Sequence, residues 1–296
     1  MNIRSSLSLK TSLFPVCIAL FASLTAPLQA EALVKSGQTI AFLGDSITQQ
    51  GAGSPTGYVK LVEAGLKANE LPVKIIGAGI SGHKSNQMLD RLQRDVIDKK
   101  PDWMTLSCGV NDVWHGEKGV PLEEYKKNIT AIVDRCTAAG IRVVILTATP
   151  IKEEDNENNK KLAGYNAFLK ELAAERKLPL ADLNAAMWEQ LKTPAELRPA
   201  GDYLTSDGVH MNPLGDSVMA TGVLEALGLD AAQLAKAQKA WDGLNAQVNI
   251  RGQVPLSEYR KLAAEAAKQK ISVNALLSKI LSEALQKNAS SGSPAQ

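Results

Sequence analysis

Two short stretches far apart in a chain of 296 residues carry the residue types of nucleophilic chemistry. Ser46, in Gly44-Asp45-Ser46-Ile47-Thr48, follows an apolar run and a glycine on a turn leading toward a helix. Such a position leaves a hydroxyl exposed at the edge of a sheet, as a nucleophile requires. The second stretch is Ser206-Asp207-Gly208-Val209-His210. Here an imidazole is available to take the hydroxyl proton, and Asp207, three residues earlier across a glycine, is placed to fix its tautomer and stabilise the imidazolium. Each stretch alone has a plainer reading, Ser46 as a helix cap and Asp207 as a cap beside a surface histidine. Attack on an ester also needs hydrogen-bond donors aimed at the oxyanion. Three are available: the backbone N–H of Ser46, that of Gly82, where no side chain obstructs approach, and the side-chain amide of Asn111. Trp114 and His115 follow directly and are expected at the rim of the site, with Tyr58 a weaker rim candidate; an aromatic rim suits sugars and acyl chains alike.

The elements that must position these residues alternate. Apolar runs at 39–43, 73–76, 103–107, 142–147 and 178–183 read as strands, and the intervening segments 57–68, 85–99, 122–139 and 158–176 carry apolar residues at helical spacing. Asn212-Pro213 marks a further helix start. Alternation of this kind implies an α/β fold, a five-stranded parallel sheet buried between helices on both faces. In such sheets ligands bind beyond the carboxyl ends of the strands. Three strand ends there stand out, Gly44 to Thr48, Gly79 to Gly82 and Gly109 to Asp112.

Taken together, Gly44-Asp45-Ser46, Gly82, Asn111 within Gly-Val-Asn-Asp, and Asp207-x-x-His210 resemble four sequence blocks of the SGNH hydrolases, also called the GDSL esterase and lipase family, in the family's order. The resemblance spans residues 38 to about 228. It implies a flavodoxin-like three-layer α/β/α sandwich, a catalytic Ser46, His210 and Asp207, and an oxyanion hole from Ser46, Gly82 and Asn111. Two departures are visible. Ile47 stands where the family name expects leucine, and Gly77 stands where many members carry an asparagine that braces the second block.

Other chemistry is disfavoured. His83, His115 and His210 have no paired ligand spacing, so no metal or other cofactor is expected. Gly77 to Gly82 matches the Gly-x-Gly-x-x-Gly pattern by type, but the acid at the right distance, Asp102, precedes the next strand where a dinucleotide site needs it at the end. Aromatic residues are only 4% of the chain, against stacking on single-stranded nucleic acid. The expected partner is a small-molecule or polysaccharide ester, first an O-acetyl group on a carbohydrate, then a short-chain acyl ester, lysophospholipid or thioester. A module that holds such a ligand without turnover is the reading outside enzymes.

Residues 1–30 read as a signal peptide, with Arg4 and Lys10 ahead of an apolar run from Leu13 to Leu24 that is too short to span a membrane. An exported protein, periplasmic or extracellular, is expected, cut after Ala30 or Ala32. Residues 31–229 form the hydrolase domain in this reading, and 230–287 a separate helical extension. The stretch 288–296 reads as disordered. The body carries a net −4 over residues 31–229 and residues 230–296 a net +4. In outline, Val248 to Val254 and the two helical runs after it resemble a ribbon-helix-helix DNA-binding unit, which export argues against. The preferred expectation is a hairpin that packs on the body or self-associates through Leu262, Leu276, Leu277, Ile280 and Leu281. Cys108 and Cys136 are too few for a disulfide framework and read as buried thiols.

Overall fold

The computed structural model describes residues 32–192, 203–246 and 254–290. The signal-peptide reading, the alternating stretch 248–251 and the last six residues lie outside these. The sheet has five strands, β1 (Thr39–Gly44), β2 (Lys74–Gly79), β3 (Trp103–Ser107), β4 (Arg142–Leu146) and β5 (Leu180–Ala181), all parallel in the order β2-β1-β3-β4-β5. This is the flavodoxin-like order. All of β3 and all but the first residue of β1 are buried, as strands covered on both faces must be, whereas β2 lies at an edge and buries only Ala78.

Helices α1 (Ser46–Gly53), α2 (Tyr58–Ala68), α3 (Ser85–Asp95), α4 (Val110–Trp114), α5 (Leu122–Ala138) and α6 (Glu157–Arg176) alternate with the strands, and α7 (Leu183–Gln190), α8 (Pro213–Ala226) and α9 (Ala231–Asp242) follow. They form two packed groups. In one, α3 meets α5 and α5 meets α6; in the other, α2 meets α8 and α9, and α8 meets α7. The apolar side chains between the groups, from Ile40, Phe42 and Leu106 to Ile145 and Val223, make one core.

Three differences from the sequence reading have local causes. The fifth strand is shorter than 178–183 because the Asp182 side chain caps α7, accepting the Ala185 N–H, so the chain is already helical at Leu183. The helix expected over 85–99 breaks at Val96 and resumes as a single 3-10 turn, Ile97–Lys99. The first compact unit runs past the expected boundary at 229/230, extending to Ala246 and including α9. Ala237 is buried, the Trp241 indole N–H donates to the Leu61 carbonyl at 2.8 Å, and Asn69 donates to the Gln233 carbonyl at 2.9 Å. An alanine-rich helix looks detachable by composition, but its small side chains are what let it lie close against Gly65 of α2.

The second unit, residues 247–296, contains α10 (Leu256–Gln269) and α11 (Val273–Ser290). Helix α11 continues through 288–290, three residues into the stretch read as disordered. Cys108 and Cys136 are both free and buried.

The register of α9 is checked by Trp241→Ala, which removes a half-buried indole and its hydrogen bond. A loss of about 2 kcal/mol is expected, or roughly 4 to 8 °C in the melting temperature. A melting temperature within about 1 °C of wild type would show that α9 does not stabilise the body.

Candidate active site

The ends of β1, β2 and β3 lie level, with Gly44 paired to Gly79 and Leu43 to Leu106, so the segments that follow leave the sheet side by side. This is the point where strand order reverses, and hence where an open sheet offers a crevice. The first turn of α1 sits directly on this edge. A Cβ at Gly44 would run into the Thr48 side chain, and one at Gly79 into the Gln49 backbone, so both positions must be glycine for the turn to lie so low. Asp45 caps α1 by accepting the Ile47 N–H at 2.9 Å. Ser46, 7% exposed, is the first helical residue, and its N–H is one of those a helix start leaves unpaired.

The segment that brings the imidazole is irregular and pinned by side chains. Asp207 accepts the backbone N–H groups of Val209 and His210 through Oδ1, and Gly208 takes the left-handed conformation (φ 85°) the turn requires. The second oxygen, Oδ2, lies 2.7 Å from His210 Nδ1, and Nε2 of the same ring lies 2.8 Å from Ser46 Oγ. Burial pushes the Asp207 carboxyl up, but the hydrogen bonds from the His210 ring and from the His210 and Val209 N–H groups outweigh it, so its pKa lies below the ordinary value of 3.8. The ionised carboxylate takes Nδ1–H and leaves Nε2 to accept from the hydroxyl, the hydrogen-bond chain of a serine hydrolase.

Two residues expected to supply oxyanion donors, Gly82 and Asn111, lie in the segments that follow β2 and β3. Asn111, on the short helix α4, places its amide nitrogen 3.2 Å from Asp45 Oδ2 and 3.3 Å from the His83 carbonyl. Both bonds are long, so the amide hydrogens are available to a better acceptor. Gly82 is exposed in a left-handed turn (φ 74°), closed by the His83 N–H to the Ile80 carbonyl. With glycine at position 77, two other side chains bond to the loop after β2. Gln49 accepts the Ser81 N–H at 2.8 Å, and Arg91, buried on α3, donates to the carbonyls of Gly44 (2.8 Å) and Ala78 (2.7 Å) and to His83 Nδ1 (3.2 Å). Burial, then the neighbouring Arg91 cation, lower the His83 pKa, which keeps its ring neutral and able to accept. Beneath Asn111, the buried Asp112 accepts both the N–H and the hydroxyl of Ser85 (3.0 and 2.6 Å), tying α4 to the start of α3. Burial raises the pKa of Asp112, and it raises that of Asp45 to about 6.

Trp114, 40% exposed, and the exposed His115 stand at the surface beside Asn111. Tyr58 does not line the rim. It is fully buried, its phenol 2.8 Å from Thr48 Oγ1, its ring edge-on to Phe42, and its N–H donated to Asp216 at 2.8 Å. A residue at the start of α2 faces inward because α1 occupies the sheet edge above it.

Two residues carry no motif yet hold the site. One is Arg91. Its only sequence signal is a cation on the buried stripe of α3 with Ser85, Met88 and Leu92. The other is Glu153, in the loop after β4. One of its oxygens accepts the N–H groups of Leu204 (2.6 Å) and Thr205 (2.8 Å) and the Thr205 hydroxyl (2.9 Å), and the other accepts the Tyr203 N–H. Thr205 Oγ1 in turn accepts the Gly208 N–H, and the Lys152 N–H donates to the Gly208 carbonyl at 2.6 Å. The turn carrying Asp207 and His210 is thus clamped to the loop after β4.

Fold and site together present a linked Ser, His and Asp at the edge of a flavodoxin-like sheet. The chain belongs to the GDSL-like lipase/acylhydrolase family, whose model matches residues 42–218, and it is a carboxylic ester hydrolase of the SGNH type. It is 33% identical to an acetylxylan esterase of Geobacillus stearothermophilus over 219 residues, 67% of this chain and 97% of that one. The crystal structure of that esterase, Axe2, superposes with a TM-score of 0.60 at 29% identity over the same shares of the two chains. The solved acetyl xylan esterase AlAXEase gives 0.59 at 32% identity, covering 64% of this chain and 98% of its own. Esterase TesA of Pseudomonas aeruginosa is 25% identical over 49% of this chain and 70% of its own.

Two measurements test this geometry. Glu153→Gln keeps the size but offers one acceptor oxygen where the turn needs two, so kcat/KM should fall about 10- to 100-fold; unchanged activity would show that the clamp does not position His210. Because Asp207 titrates below 3.8 in the folded state, its contribution to stability is present above that value and lost as pH falls through and beneath it. The difference in melting temperature between wild type and Asp207→Asn should therefore hold steady from about pH 5 to 8 and shrink below about pH 4. A difference that instead vanishes above pH 5 would contradict the assignment.

Proposed function

We propose that this protein is an exported esterase that removes acetyl groups from carbohydrate through an acyl-enzyme on Ser46. The observation that carries the mechanism is the unbroken pair of short contacts, Asp207 Oδ2 to His210 Nδ1 at 2.7 Å and His210 Nε2 to Ser46 Oγ at 2.8 Å.

Ser46 Oγ attacks the acetyl carbonyl while its proton passes to His210 Nε2, and Asp207 stabilises the imidazolium through Nδ1–H. The carbonyl oxygen becomes an oxyanion that accepts from the N–H groups of Ser46 and Gly82 and the amide of Asn111, each worth roughly 3 to 4 kcal/mol by analogy with the subtilisin donor of that kind. Collapse expels the sugar oxygen, which takes the proton from Nε2. Water then attacks the acetyl-serine with His210 as base, releasing acetate and restoring the hydroxyl.

Two of the relatives are named as acetylxylan esterases, and one of them aligns over nearly its whole length at 33% identity. A short acyl group on a polar alcohol also suits an exposed Trp114 and His115, which offer a sugar an apolar face and a polar neighbour. Export is supported by the basic-then-apolar start of the sequence. Ala32 is buried, so cleavage after Ala30 keeps a packed residue that cleavage after Ala32 would remove.

The test is a substrate panel on the mature chain, comprising acetylated xylose and xylooligosaccharides, aryl acetate and octanoate esters, and a lysolipid. Acetylated sugars should give the highest kcat/KM, and Ser46→Ala should lower kcat at least about 10⁴-fold with the circular dichroism spectrum unchanged. Preference for the octanoate or the lysolipid would reject the carbohydrate reading; turnover surviving Ser46→Ala would reject the mechanism.

A further inference from the structure

The second compact unit covers very little of its own apolar surface. Among its described residues only Ala266 and Leu276 are buried, one from α10 and one from α11. Leu256 and Tyr259 of α10, Ile271 between the helices, and Leu277, Ile280, Leu281 and Leu285 of α11 are exposed, Leu256 by 71% and Leu285 by 61%. These residues are not scattered. At about 100° per residue, Leu276 and Ile280 lie on one edge of α11, and Leu277, Leu281 and Leu285, four residues apart, form the adjoining row. From Leu276 to Leu285 the apolar side of α11 thus spans about 180°, and of these residues only Leu276 is buried. The ion pairs Lys261–Glu258 and Lys268–Glu265 are solvent-exposed, and the helices end at polar residues.

A pair of helices of 14 and 18 residues is below the size at which a chain encloses a core of its own. We propose that this face is covered by the same face of a second copy of the chain, so that two hairpins close into a four-helix unit around a two-fold axis.

The area fits. Complete coverage of the seven residues would remove at most about 700 Å² per copy, or roughly 1,400 Å² in all, within the range of a standard interface. The shape fits as well, because rows spaced four residues apart interdigitate with an identical row, and a self-complementary patch is what a two-fold contact requires. The chemistry also points to a like surface. Apart from the single phenol of Tyr259, the patch is aliphatic and offers nothing that would select a polar partner.

The experiment uses the full mature chain in analytical ultracentrifugation from about 1 to 100 µM, a range that reaches the weak end of affinities for interfaces of this size. Wild type should sediment as a dimer. Leu277→Glu with Leu281→Glu should sediment as a monomer whose hydrolysis of a soluble aryl acetate, per chain, is unchanged. Leu281→Cys, close in size to the native residue, keeps the test open should the double variant fail to fold. Mild oxidation should link it into a covalent dimer, while Lys268→Cys, on the polar side, stays unlinked. A wild-type monomer at the highest concentration, or a Leu281→Cys chain that links no better than Lys268→Cys, would overturn the proposal. Binding of a monomeric wild type to phosphatidylglycerol vesicles would overturn it in favour of a membrane surface.

Discussion

The imidazole of His210 reaches the hydroxyl of Ser46 across 164 positions of the chain, and most of the architecture serves to hold that contact at 2.8 Å. One side of it is set by the sheet. Parallel strands of matched register deliver Ser46, Gly82 and Asn111 to one edge, and glycines at 44 and 79 let the first turn of α1 settle on it. The other side has no strand to rely on. The turn from Thr205 to Met211, closed by a single antiparallel bridge, is fixed by the Glu153 carboxylate and by Asn212, whose amide donates to the carbonyls of Tyr203 and Thr205. Regular structure positions the hydroxyl, and a cluster of side-chain bonds, those to the Glu153 carboxylate charge-assisted, positions the imidazole.

The ground beneath the site is more polar than its burial would suggest. Asp45, Arg91 and Asp112 are all nearly inaccessible, and each is placed so that its hydrogen bonds meet backbone groups of the turns above. Buried charges of this kind cost solvation and are weak contributors to stability unless every bond is made. Arg91 shows the completed case. It donates to the carbonyl of Ala78 near the end of β2 and to that of Gly44, the last residue of β1, which also accepts the Ile80 N–H, and it balances its charge against Asp95, whose pKa falls to about 2 chiefly through the Arg94 hydrogen bond. Cations and carboxylates here act as mortar between turns that have no secondary structure of their own.

How much of this is legible in the sequence depends on whether a residue's job is local. Strands buried on both faces announce themselves as apolar runs, and Asn212-Pro213 announces a helix start, because each signal resides in the segment concerned. The residues around Ser46 and His210 are legible for a different reason: their chemistry demands particular side chains in a particular order. Tyr58 misleads because exposure depends on what lies overhead, and only the fold shows that α1 covers it. Composition likewise separates α9 from the body, though Gly65 and Ala237 fit together only once α2 is in place. Glu153 sits in a run of charges with nothing to distinguish it from its solvated neighbours, since its partners are backbone amides fifty residues away.

Asp207 and His210 belong to one tight turn, bound to each other by side chain and backbone alike. The chain of three side chains therefore has a single seam. Carboxylate and ring travel as one rigid piece, and a disturbance anywhere in the molecule can part them from the hydroxyl but hardly from one another. Loss of alignment in such a device is a one-dimensional event, a gap opening and closing between two intact halves, and its repair requires no re-pairing of the acid with its base.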